Sequence, residues 1–189
     1  MLLKNFRTVY VVTLGDAEGF SLVELMVVIA IVGLLGAFAL PSYISSMPRR
    51  RLKAAVREQY GVLQQARLMA VKNRLSVRVC FNVSSRLYYL DTFDIGNSDA
   101  NEKKCDSSER TFDLKKYHDI TFGCAGAKKN WDSNAISQAS YITFSPTGTA
   151  YSRTVYLQNT EAPSECFAVT SQGSGALKVR WFDGKKWKK

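Results

Sequence analysis

The chain has 189 residues, a formal net charge of +10 and a pI near 9.5, with 46% hydrophobic and 12% aromatic residues and four cysteines. Without its apolar N-terminal portion, about 150 residues remain, which suits one packed domain and argues against two. There is no low-complexity tract or internal repeat, and one histidine with no nucleophile motif gives catalysis little to work with.

Residues 1–19 form a short leader that carries Lys4 and Arg7, an apolar stretch at 9–14, the acids Asp16 and Glu18, and a terminal Gly19. Residues 20–40 follow as an apolar run of 21 residues that contains one charge, Glu24. About 20 apolar residues in a helix cross a bilayer core. A carboxylate inside such a segment is costly, so it points to a functional residue with a partner. An ordinary secretory signal is cut at small residues beyond its apolar stretch, which is then discarded. Here the charged leader ends in glycine before the apolar run begins. Gly33 and Gly36 permit close helix approach, and Pro41, which lacks an amide hydrogen, is expected to kink or locally melt the helix.

Over residues 42–73, Leu52, Val56, Val62, Leu63, Ala66, Met69 and Ala70 recur at three- and four-residue steps, the stripe of an amphipathic helix. Arg49, Lys53, Arg57, Arg67 and Lys72 fall largely off that stripe. From residue 75 the period changes to two. Residues 76–81 and 86–90 alternate like paired strands, and 120–122, 141–144, 154–158, 166–170 and 178–182 are further strand candidates. Residues 94–110 and 125–140 are polar and read as loops, with Trp131 anchoring the second. Asp91 and Asp94 sit at a strand end where Asp serves a turn, and Tyr117-His118-Asp119 reads as an exposed approach to a strand.

Gly19-Phe20-Ser21-Leu22-Val23-Glu24, followed by an apolar helix ending near Pro41, resembles the class III signal of type IV pilins and type II secretion pseudopilins. The resemblance implies cleavage after Gly19 by a prepilin peptidase, N-methylation of the new N-terminal Phe20, and a role for Glu24 in filament assembly. In that role the carboxylate pairs with the free amine of a neighbouring subunit. The leader departs from the family in carrying Asp16 and Glu18 where basic residues are frequent. By the positive-inside rule, Arg49-Arg50-Arg51 with Lys53 would place the C-terminal side in the cytoplasm, opposite to the orientation the motif implies; the specific motif outweighs that statistical rule. A second resemblance lies in Phe144-Ser145-Pro146-Thr147-Gly148 and the apolar segments that follow, which are similar to the closing part of the GspH/FimT branch. There Gly148 is expected to supply a positive φ and Pro146 to pre-set the turn. Some members of that branch are minor pilins or pseudopilins near the filament tip. Others resemble DNA receptors with a Gly-Arg-x-Arg motif, which here is Gly175-Ala176-Leu177-Lys178, with the first arginine missing.

From Lys178 onward, six cations stand against one acid, Asp183, a net charge of +5. Lys178, Arg180, Lys185, Lys186 and Lys188 interleave with Trp181 and Trp187, a pattern that suits nucleic acid through phosphate contacts and base stacking. It also suits, less well, a lipid surface or a partner protein, and the bland reading, which ranks first, is a solvated end whose tryptophans cap the core. Cys80, Cys105, Cys124 and Cys166 contain no C-x-x-C pair, so disulfides are expected rather than a metal site. Four cysteines allow three pairings. Cys105 with Cys124 is preferred because both flank loops, while Cys80 and Cys166 could bridge a sheet or stay as buried thiols.

These observations add up to an α+β, pilin-like chain in which one long N-terminal helix, transmembrane and then amphipathic, packs on an antiparallel β-sheet domain. The expected divisions are a cleaved leader at 1–19, a membrane and filament-core helix at 20–41, its amphipathic continuation at 42–74, and a β-rich domain at 75–189. The expected role is a minor pilin or pseudopilin with no enzymatic activity and no cofactor. Its partners would be the prepilin peptidase, other pilin subunits and the inner membrane, with the domain periplasmic; DNA uptake is the alternative.

Overall fold

The computed structural model describes residues 19–93, 105 and 110–188. The leader 1–18 and most of the expected 94–110 loop lie outside the described residues. By internal contacts the chain divides into two units, Met1–Ile44 and Ser45–Lys189.

In the first unit, Gly19, Phe20 and Ser21 precede the start of helix α1, Leu22–Asn73. Ser21 and Glu24 have the spacing of a capping box, and Glu24 lies in the first turn, where a carboxylate favours exposed amides. The helix continues without a break through Pro41, so the expected local melting does not occur there. Proline removes one amide donor, and the apolar side chains on either side keep every reason to remain helical. This helix is long and apolar enough to cross a membrane, and none of its most apolar window is buried. Phe20, Leu22, Leu34, Leu35 and Phe38 are all exposed.

In the second unit the buried stripe of α1 comprises Leu52, Ala55, Val56, Gln59, Val62, Leu63, Ala66 and Ala70, matching the three- and four-residue periodicity. Two antiparallel sheets share its core. The first has the order β3-β2-β1-β5, built from β1 (Ser76–Asn82), β2 (Leu87–Phe93), β3 (Arg110–Asp113) and β5 (Tyr141–Phe144). The second has the order β4-β6-β7-β8-β9. Its strands are β4 (Ile120–Phe122), β6 (Arg153–Asn159), β7 (Cys166–Ser171), β8 (Leu177–Phe182) and β9 (Trp187–Lys188).

The second sheet is covered on both faces. Val155, Leu157, Phe167 and Val169 join the cluster with the helix residues. Tyr156, Cys166, Ala168 and Phe182, one step out of phase, join a second cluster beneath the 123–140 loop with Trp131, Ile136 and Trp187. Strand alternation sends neighbouring residues to opposite faces, which is why every residue of β7 is buried. Gln59 is fully buried in the first cluster, with no partner for either side-chain amide atom among the described residues. An unsatisfied buried polar group costs about 1–3 kcal/mol, so this position is a weak point of the core.

Two turns require glycine. Gly148 has φ +76° and Gly175 has φ +74°, and a Cβ on Gly175 would fall 1.8 Å from the Gly148 carbonyl oxygen. The positive φ expected of Gly148 is therefore present. Arg67 reaches from α1 to tie both turns, its Nε donating to the Gly148 carbonyl at 3.1 Å and its Nη2 to that of Ser174 at 3.2 Å.

The cysteines pair as Cys80–Cys105 and Cys124–Cys166, with Cα separations of 6.0 and 5.4 Å. This corrects the preference for Cys105 with Cys124. The preference considered only the loops around each cysteine. Strand order brings Cys124, just past β4, to β7 through β6, while the Tyr89 hydroxyl donates to the Cys105 carbonyl beside β1.

Candidate assembly segment and basic hairpin

Gly19, Phe20 and Glu24 lie together at the start of an exposed apolar helix. Among the described residues, no ion pair involves Glu24. Cleavage after Gly19 would create an ammonium on Phe20, four residues away.

The basic C-terminal residues form a hairpin of β8 and β9, closed by Asp183. The Asp183 carboxylate accepts from the Lys185 amide at 3.0 Å and the Lys186 amide at 2.8 Å, and it pairs with Lys188 Nζ at 2.6 Å. The Lys188 ammonium, aided by the two amides, holds the Asp183 carboxyl well below the usual carboxylate range.

The hairpin does not present one continuous surface. Lys178 and Arg180 share the face of β8 that carries Phe182, where the Arg180 guanidinium lies 4.1 Å from the Trp131 ring centre. Trp181 faces the other way and stacks on Phe167 at 6.3 Å. Its ring is flanked by Arg49 at 4.2 Å and Lys188 at 5.0 Å. Trp187 packs edge-on to Trp131 at 5.4 Å, and its Nε1 donates to the Lys129 carbonyl at 2.8 Å. Both tryptophans are therefore committed to the fold, and the strand period of two splits a run that is contiguous in sequence. Lys185 and Lys186 are exposed in the turn.

His118 caps a short 3-10 turn, Leu114–Tyr117, in an exposed position. Its carbonyl accepts from Arg86, while neighbouring Asp119 pairs with Arg51 at 2.9 Å. Glu58 collects the other polar contacts of this region: Lys116 Nζ donates to it at 2.7 Å and the Tyr117 hydroxyl at 2.6 Å. Burial raises the Glu58 carboxyl, but these donors outweigh it and leave it below its usual value. Burial and the same carboxylate push the Tyr117 hydroxyl up to about 12. The contribution from Glu58 is thus present above its ordinary pKa and fades as pH falls through the lowered one. That from Tyr117 is present below about 10 and fades as pH rises toward 12. This cluster lies between α1 and the 3-10 turn and serves as a structural tie.

Residues 16–40 match the prokaryotic N-terminal methylation motif, and residues 55–175 match the model of the type II transport protein GspH. The type IV major fimbrial protein FimA of Dichelobacter nodosus is 46% identical over 39 residues, which make up 21% of this chain and 24% of that protein. The chain thus spans about a quarter of the length of the curated relatives it matches. Among solved structures, the type IV minor pilin FimU of Pseudomonas aeruginosa aligns with a TM-score of 0.49 at 16% identity, covering 74% of this chain and 94% of that one. The minor pseudopilin EpsH from the type 2 secretion system of Vibrio cholerae aligns with a TM-score of 0.48 at 15% identity, covering 68% and 95%.

Proposed function

The chain belongs to the type II transport protein GspH family, and from that premise we propose that it is a minor pilin or pseudopilin, cut after Gly19 and assembled through its apolar helix. The observation that carries this reading is Glu24, a lone carboxylate at the start of an exposed apolar helix directly behind a methylation-type motif. After cleavage and N-methylation, Phe20 keeps a protonated amine. In a filament that amine and the Glu24 carboxylate of a neighbouring subunit neutralise one another in apolar surroundings. Because desolvation offsets much of the Coulomb gain, the pair sets register more than it adds net stability. The unit Ser45–Lys189 is then carried outward on the filament, with its disulfides suited to an exported compartment.

DNA capture has less support. Base stacking needs exposed aromatic faces, and Trp181 and Trp187 are held by Arg49, Phe167, Trp131 and the Lys129 carbonyl.

The test is co-assembly. In a bacterium that carries a type IV pilus or type II secretion machine and lacks its own GspH-type subunit, the chain should restore assembly and appear in the sheared filament fraction. Expression at normal levels in the membrane fraction, with no restored assembly, would refute the proposal.

A further inference from the structure

We propose that the end of the Ser45–Lys189 unit at which the chain enters it is a basic rim that binds anionic phospholipid headgroups. The inference rests on the reading of residues 20–40 as a membrane helix.

Several segments distant in sequence meet at that end. The Asn159 side-chain amide donates to the Pro48 carbonyl at 3.2 Å, which places the β6–β7 turn against the start of the unit's helix. Arg49 pairs with Glu165 of the same turn at 3.4 Å, and Arg51 with Asp119 at 2.9 Å. The hairpin turn joins them, because a Cβ on Gly184 would stand 3.5 Å from the Ser164 carbonyl oxygen. Arg49 and Lys188 flank the single ring of Trp181. The C-terminal lysines therefore lie beside the triple-arginine stretch, a proximity that no sequence spacing reveals.

The rim's charge is unbalanced. Arg49, Arg50, Arg51, Lys53, Lys185, Lys186 and Lys188 stand against Asp119, Glu161, Glu165 and Asp183, seven cations to four acids. Three of those acids are already engaged by Arg51, Arg49 and Lys188. Lys53, Lys185 and Lys186 are exposed and make no ion pair among the described residues.

Position supplies the partner. Arg49 follows Ile44, the last residue of the apolar unit, by only five residues of sequence, a reach of at most about 18 Å for any chain conformation. Exposed Tyr43 and Ile44 mark the apolar boundary. Cations that soon follow a membrane run lie within reach of the headgroup layer, where anionic lipid attracts them over about one Debye length. Before assembly, this rim would hold the domain down on the bilayer and set the height at which a neighbouring filament end meets it.

The experiment uses the full chain reconstituted into nanodiscs of phosphatidylcholine, with or without phosphatidylglycerol, followed by hydrogen exchange. Amides in 159–165 and 183–188 should exchange on the order of tenfold more slowly in the anionic discs. High salt, or the double substitution Lys185→Gln with Lys186→Gln, should remove the difference while β7 exchange stays unchanged. An inserted chain that exchanges equally in both discs would overturn the rim's role. A chain that fails to enter either disc would instead overturn the membrane reading beneath it.

Discussion

Replacing Glu24 with alanine should cut incorporation into filaments at least about tenfold while leaving cleavage after Gly19 intact. The Phe20 amine would then sit without a counter-charge in apolar surroundings, at a cost of several kcal/mol, of which about 1.4 kcal/mol already corresponds to tenfold. Glu24 also lies at the third helical position after Ser21, where it can cap the helix. Glu24→Gln separates the two roles, since glutamine serves a capping box as well as glutamate does. If the charge pairs between subunits, glutamine should fail as alanine does. If capping is all that matters, glutamine should restore incorporation in the sheared fraction, and the pairing would have to be abandoned.

Loss of the Cys124–Cys166 bridge should produce the largest fall in stability of the globular unit. It closes a separation of 42 residues and fastens the 123–140 loop to a strand buried on both faces. Loop-closure entropy for that span implies about 3–4 kcal/mol. The double substitution Cys124→Ser with Cys166→Ser should therefore lower the unfolding free energy by about 2–4 kcal/mol in denaturant titrations of the full chain. Trp131 fluorescence should change with it, because that ring belongs to the cluster the bridge supports. An unchanged midpoint with an unchanged slope would mean that the second cluster holds the loop unaided.

How much could be read beforehand follows from where the physical signal was local. The helical stripe from Leu52 to Ala70 and the alternation through β1 and β7 are periodic in sequence, and each lies within a residue or two of its expected place. β3 was hidden because only Phe112 of its four residues turns inward, stacking on Tyr88 at 5.1 Å. β9 has two residues and owes its existence to the Asp183 turn. The cysteine pairing was out of reach because it depends on the order β4-β6-β7, a non-local fact. The C-terminal cations were visible as a group, but their division between two faces follows from strand phase, and their meeting with Arg49 follows from tertiary packing. The motif segment itself is local, and residues 16–40 match the prokaryotic N-terminal methylation motif; the roles of Gly19, Phe20 and Glu24 within it are part of the proposal.

The most direct measurement is the intact mass and N-terminal sequence of the full chain co-produced with a prepilin peptidase. The expected product begins at Phe20, lacks residues 1–19 and carries one additional methyl group on its amine. An uncut chain, or one cut beyond residue 40 so that the apolar helix is lost, would contradict the pilin-type role, because the segment proposed to build the filament core would be absent or never released.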